Sequence, residues 1–309
     1  MSAQSQAQTL IESFQSRRPI RATSLLMTVY GDSVEPHGGC IWLGSLINLL
    51  APLGINQRLV RTSIFRLSRD NWLTAQRLGR RSFYRLTDSG QRQVTDASAR
   101  IYAPRVDEWD GNWQIVMLTA QHLTNAQRDA IRRELRWQGF GQISTDVFAH
   151  PMAPMSRVRN MLQEKSLEDS AVLMQGRTYD DGASSEKAIA ELVRSCCNLG
   201  AIETHYEAFN TRFTPLARSL ERHKKLPDPQ TCFLVRTLLV DAYRRILLQD
   251  PQLPAALLPQ NWSGDRARDI TIRIYHAVSE QAENHIQMIG ETTEGPFGKL
   301  DKNFHKRFK

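Results

Sequence analysis

Lysine is missing from the first 164 residues, and the first one in the chain is Lys165. Positive charge is not missing with it. Residues 17 to 105 hold 14 Arg against 5 acidic residues, whereas residues 106 to 309 balance at 26 basic and 26 acidic. The formal +8 of the chain therefore resides in one N-terminal segment of domain size whose cations are all guanidinium groups. Cysteine is scarce as well. Cys40, Cys196, Cys197 and Cys232 form no CxxC pair, which argues against a zinc site or a disulfide framework and for reduced thiols in a cytoplasmic protein. No apolar run is long enough for a bilayer, because Ile41–Gly54 is broken by Gly44, Ser45, Asn48 and Pro52. The opening MSAQSQAQTLIESFQSRR is polar and lacks the basic-then-apolar order of a signal peptide. GxxxxGK[ST], HExxH and GxSxG are all absent, and Gly139-x-Gly141 meets Ser144 where a dinucleotide loop needs its third glycine. No nucleophile, base and orienting group assemble from spacing, so enzyme chemistry is not expected.

What is present is a basic block with a readable order of elements. Pro19–Tyr30 is expected to be helical, with Pro19 at its first position, Leu25, Leu26 and Val29 at helical spacing, and Gly31 as its C-cap. After the break at His37, Gly38 and Gly39, a short helix runs over Leu43–Leu50 and stops at Pro52. Gly54 gives a turn, Asn56 an N-cap, and a third helix covers Gln57–Asn71. Val60, Ile64 and Leu67 form one face of it, with Leu59 at the edge. Arg58, Arg61, Thr62, Arg66 and Arg69 form the other. Phe65 falls on the arginine side and is expected to pack on the next hairpin. That hairpin pairs Trp72–Leu78 with Arg81–Leu86 across Gly79-Arg80, and carries Arg77, Arg80, Arg81 and Arg85.

One surface arginine alone is ordinarily a solvated charge. Helix, short helix, arginine-faced helix and basic hairpin in this order make a winged helix-turn-helix, whose third helix enters the major groove. The wing would lie on neighbouring phosphates or in the minor groove. Gln57, Arg58, Arg61 and Thr62 are placed for base edges; Arg66, Arg69, Arg77, Arg80, Arg81 and Arg85 are placed for phosphates. The expected partner is double-stranded DNA, with no membrane contact.

Pro104 and Asp107–Gly111 mark a boundary. Beyond it come a strand over Trp113–Thr119, a helix capped at Thr124-Asn125 and running to Trp137, and a turn at 139–141. A strand over Ile143–Phe148, a helix over Ser156–Lys165 and a strand over Ala171–Gln175 follow. This alternation predicts a ferredoxin-like α+β domain. Ser185–Met288 is helical throughout, interrupted by prolines at 227, 229 and 251–259. The expected architecture is mixed α/β and multidomain: a flexible N-terminus (1–16), the winged helix (17–105), the ferredoxin-like domain (106–182), an all-α C-terminal domain (183–290) and a basic tail (291–309) frayed over 299–309.

The segments GGCIWLGSLINLLAPLGINQRLVRTSIFRLSRDNWL, GRRSFYRLTDSG, WDGNWQIVML, RWQGFG and DAYRRILLQDPQLPAALLPQNWSG occur in this order between residues 38 and 264, inside a likeness that spans about residues 17 to 280. Together they closely resemble the PaaX family of repressors of bacterial phenylacetate degradation. The resemblance implies a GntR-like winged helix, a middle domain similar to small CRISPR-associated ferredoxin-like nucleases, and a helical C-terminal domain. It further implies a homodimer on an inverted-repeat operator that phenylacetyl-CoA releases. Where the nuclease relatives place a metal-binding aspartate at the end of the first strand, this chain has Met117-Leu118-Thr119-Ala120, with the nearest acid, Asp110, before the strand. Metal-dependent nuclease activity of the middle domain is therefore the alternative, and the disfavoured one. An acyl-CoA site must join cationic groups to an aromatic wall. Tyr243, Arg244, Arg245, Trp262, His205 and Tyr206 are candidates, with Trp109 and Trp113 behind them. The plainer alternative puts Tyr243 in the core and pairs Arg244 and Arg245 with Asp241 or Asp250. No cofactor or metal is expected.

Overall fold

The computed structural model describes residues 2–103, 108–119, 123–178, 183–222 and 226–309. By contact the chain forms two compact units. The first comprises residues 1–104, 208–244 and 265–309, the second 105–207 and 245–264. The helical stretch 183–290 is thus shared between the units rather than standing apart as one domain. Pro104 and Asp107, expected at a boundary, lie outside the described residues, as does Ala120.

In the first unit, residues 1–16 are not a loose terminus. They form helix α1 (Ala3–Gln15), capped by Ser2, whose hydroxyl accepts from the Ser5 amide. Ala3, Ala7, Leu10, Ile11 and Phe14 are buried, a narrow helical stripe hidden in a polar composition. Helix α2 (Ala22–Val29) starts three residues after Pro19 and does not stop at Gly31. Buried Tyr30, Asp32, Ser33 and Val34 keep the chain winding through a π turn and a 3-10 turn. Gly38, in the left-handed region at φ 92°, ends it. Strand β1 (Cys40–Trp42) leads directly into α3 (Leu43–Leu50), then α4 (Gln57–Arg69), β2 (Leu73–Leu78), β3 (Arg81–Leu86) and α5 (Asp88–Tyr102). The three strands are antiparallel in the order β1-β3-β2. Strand β1 was not foreseen because its three residues merge with the apolar run of α3.

The second unit contains β4 (Asn112–Leu118), α6 (Asn125–Trp137), β5 (Gly141–Ser144), β6 (Val147–His150), α7 (Met155–Glu164) and β7 (Ala171–Arg177). The sheet order β5-β6-β4-β7, all pairs antiparallel, is that of a β-α-β-β-α-β ferredoxin-like arrangement. Val116, Leu118, Ile131, Leu135, Phe148, Val158 and Leu162 make its core. The single strand expected over Ile143–Phe148 is a hairpin instead. The polar pair Thr145-Asp146 turns the chain, with Asp146 3.3 Å from both Arg128 and Arg132. At the far end of β4, Thr119 is bonded to the backbone of Asp169 and Ser170, while Asp110 accepts from the Asn112 backbone and side chain. Among the described residues no helix is long and apolar enough to cross a membrane.

Four long helices follow: α8 (Ala183–Cys197), α9 (Leu199–Arg222), α10 (Pro229–Leu247) and α11 (Ser263–Ile289). The first unit then closes on a small hairpin of β8 (Glu291–Thr292) and β9 (Gly295–Pro296). Residues 291–309 are not frayed, because Phe297, Phe304 and Phe308 are buried. Phe308 donates its amide to the Tyr102 carbonyl and Asp301 to that of Pro36, both at 2.9 Å.

At the centre of this unit lies a buried ionic network. Arg236, 0% exposed, pairs with Asp32 at 2.9 Å and with Glu283. Arg307 reaches Asp32 at 3.2 Å, and Tyr102 and Tyr275 donate to the same carboxylate. His37 bridges Glu283 and the Gly298 carbonyl. Burial alone would raise the Asp32 pKa. The charges of Arg236 and Arg307 and the two tyrosine bonds outweigh it and hold Asp32 below its ordinary value. Glu283 is lowered against its own burial by Arg236 and His37.

Candidate nucleic-acid interface

Helix α4 begins where Asn56 accepts from the Leu59 amide at 2.9 Å. Val60, Ser63, Ile64 and Leu67 are its buried face, and α2 packs against it. The opposite face is left to solvent, and Gln57, Arg58, Arg61, Thr62, Arg66 and Arg69 are all exposed on it. Thirteen residues give a rod of about 20 Å. In the orientation that satisfies both groups, the Gln57 amide oxygen accepts from Arg61 at 2.8 Å. The Thr62 hydroxyl donates to the Arg58 carbonyl, and Arg69 meets Asp70 at 3.0 Å. Phe65 does not pack on the hairpin. It is 67% exposed among the arginines, because the inward positions of α4 are already occupied by its aliphatic face.

The hairpin turns at Gly79 (φ 60°) and Arg80, with Leu78 opposite Arg81 and Arg77 opposite Ser82. A glycine at positive φ suits the handedness of a two-residue hairpin loop. Beyond Leu73, strand β2 is exposed throughout, whereas Phe83 and Leu86 anchor β3 in the core. Arg77, Arg80, Arg81 and Arg85 are all exposed, and so is Leu78 at the tip. Arg81 lies over the Trp42 ring at 4.5 Å and pairs with Glu291. The ten side chains thus fall on two consecutive elements that touch each other.

The six ligand candidates are divided between the units, Tyr243 and Arg244 in the first and His205, Tyr206, Arg245 and Trp262 in the second. Tyr243 is buried against Phe209, with centroids 5.9 Å apart. Arg244 donates to the Ser24 hydroxyl at 2.9 Å and lies 3.7 Å from Asp241. Arg245 is half-buried and His205 exposed. Tyr206 and Trp262 do meet, edge to face at 5.8 Å, but both are buried and the Tyr206 hydroxyl donates to Asp250. Trp109 and Trp113 form a second edge-to-face pair at 5.3 Å. Among the described residues no cluster of three or more His, Cys, Asp or Glu is arranged to hold a metal ion.

Three family models match the chain in succession. A PaaX-like protein model covers residues 21–90, a PaaX protein central Cas2-like domain residues 106–190, and a PaaX-like protein C-terminal domain residues 197–288. The Transcriptional repressor PaaX of Escherichia coli (strain K12) is 35% identical over 304 residues, which span 98% of this chain and 95% of that protein. The chain belongs to the PaaX family. The first PaaX model contains α2 to β3 and so every one of the ten exposed side chains. The Cas2-like model spans the whole four-stranded sheet. A solved structure, the uncharacterized protein Rv0674 from Mycobacterium tuberculosis, aligns over 77% of this chain and 88% of its own, with 23% identity and a TM-score of 0.48.

Proposed function

We propose that the chain is a DNA-binding transcriptional repressor of phenylacetate catabolism genes, acting as a homodimer on an inverted-repeat operator and released by phenylacetyl-CoA. The observation that carries this reading is the run of α2, α3, α4 and the β2–β3 hairpin. We read this run as a winged helix-turn-helix, and α4 and the hairpin present eight arginines, Gln57 and Thr62 to solvent. Kinship with a protein named as a transcriptional repressor points the same way. Support for a dimer comes from the sheet of the second unit. Its outward positions include Met117, Ile143, Val172 and Met174, which are exposed hydrophobic side chains, and such patches mark association surfaces. Release follows if the ligand favours a dimer whose α4 helices no longer match adjacent major grooves. Operator DNA must then weaken ligand affinity by the same factor.

A gel shift at controlled salt, with a phenylacetate-cluster promoter and a scrambled duplex, tests the reading. Arg61→Ala is expected to cost about 1–3 kcal/mol at one base pair. Arg80→Ala is expected to weaken both duplexes alike and to reduce the salt slope by about one. Equal affinity of the unaltered protein for promoter and scrambled DNA overturns it.

Glu291 competes with DNA for one of these cations, since it holds Arg81. Glu291→Gln is expected to tighten promoter binding by up to about fivefold at low salt, the range of an exposed ion pair. The gain should fade as salt rises. Unchanged affinity at all salt concentrations would show that Arg81 makes no phosphate contact.

A further inference from the structure

The loop DPQLPAALLPQ walls a cavity of about 670 Å³ in the second unit. None of the six ligand candidates named from sequence lines it. Trp109, Arg177, Arg194, Leu199, Leu257 and Leu258 do. The Trp109 indole donates to the Asn112 carbonyl at 2.8 Å, and its edge-to-face neighbour Trp113 donates to Thr178 at 2.9 Å. Their polar groups are therefore satisfied within the protein, which leaves ring surface for a ligand. Arg177 ends β7 and lies across Gly111, whose φ of 83° and missing Cβ allow its Nε to come within 3.3 Å of the Cβ position. The acid beside it, Asp110, spends both oxygens on Asn112 at 2.9 and 2.7 Å. Arg194 comes from α8, and the charge of Arg177 adds to the Asn112 bonds in holding Asp110 below its ordinary pKa.

Two exposed arginines lining the same cavity as an indole and three leucines suit an amphipathic organic anion. The volume falls within the roughly 300–1,000 Å³ of small-molecule sites. We propose that this cavity is the effector site, with Arg177 and Arg194 taking the phosphates of an acyl-CoA while its acyl group lies against Trp109, Leu257 and Leu258. This rests on the effector-released repressor reading, and it assigns to that reading a site and a division of labour.

Isothermal titration of the full chain with phenylacetyl-CoA, CoA and phenylacetate tests it. Arg177→Gln and Arg194→Gln are each expected to weaken phenylacetyl-CoA and CoA about tenfold or more, as for a lost charge-assisted bond. Leu258→Trp, which fills the cavity, should abolish phenylacetyl-CoA binding while promoter affinity and melting temperature stay near those of the unaltered protein. Trp109→Phe keeps the fold and should remove the ligand-induced change in tryptophan fluorescence. If all four variants bind phenylacetyl-CoA like the unaltered protein, the cavity is not the site and the effector reading stands. If the unaltered protein binds none of the three compounds, both fall.

Discussion

Arg236→Met is expected to destabilise the protein by about 3–5 kcal/mol, the range for removing one partner of a buried ionic group. Methionine approximates the volume of the arginine stem, so the loss reports charge rather than a cavity. Arg236 holds Asp32 at 2.9 Å, Glu283, and the Ser33 hydroxyl at 3.2 Å. Without it Asp32 keeps Arg307, Tyr102 and Tyr275, but Glu283 keeps only His37 among the contacts described for its carboxylate. The cost should therefore centre on Glu283. Glu283→Gln, added to Arg236→Met, is expected to restore part of the stability, an interaction that a double-mutant cycle in urea resolves. A loss under about 1 kcal/mol for Arg236→Met, or strict additivity of the two changes, would show that the network does not hold the first unit together.

One local sign announces that network. Arg236 interrupts the apolar run TCFLVRTLLV of α10, and a lone cation at such a place signals a buried partner. Its partners at positions 32 and 283 follow from the tertiary fold alone. The elements that were legible carry their signals within a few residues. Asn56 and Thr124 cap α4 and α6 as their sequence positions suggest. Gly79-Arg80 sets the hairpin, and the arginine face of α4 lies opposite its aliphatic face. Residues whose structure depends on distant chain were misread. Helix α1 is anchored in part through Gln4 to Asp228 and Thr231, and the C-terminal segment is bonded to Pro36 and Tyr102. Adjacency of Tyr243, Arg244 and Arg245 along a helix spreads them around it, whereas Arg177 and Arg194 reach one cavity from a strand and a helix. The family models divide the chain by sequence at about residues 90–106 and 190–197. Contacts divide it differently, because α9 and α10 each contribute residues to both units. The C-terminal family module is thus a unit of descent that packing shares out.

Removing residues 291–309 should destabilise the first unit by more than the about 3–5 kcal/mol typical of truncating one buried phenylalanine. Three such side chains leave at once: Phe297 from its stack on His37 at 4.7 Å, Phe304, and Phe308 from its edge contacts with Tyr102 and Tyr275 at 5.1 Å. Arg307 leaves with them, and Asp32 loses the second of its two guanidinium partners. Phe308→Ala alone should account for about 3 kcal/mol of the loss. Lys299→Ala with Lys302→Ala, at exposed positions of the same segment, should stay within about 0.5 kcal/mol. A frayed basic tail predicts the reverse ranking for DNA and no effect on stability: the lysine changes would weaken promoter binding and Phe308→Ala would do nothing. Chemical denaturation of the four proteins, followed by promoter titration under conditions where each is folded, separates the two. Because the deletion also frees Arg81 from Glu291, the truncated chain should bind promoter DNA, molecule for folded molecule, at least as well as the full one. A truncated chain that melts like the full one yet binds DNA more weakly would return the segment to the role of a charged tail.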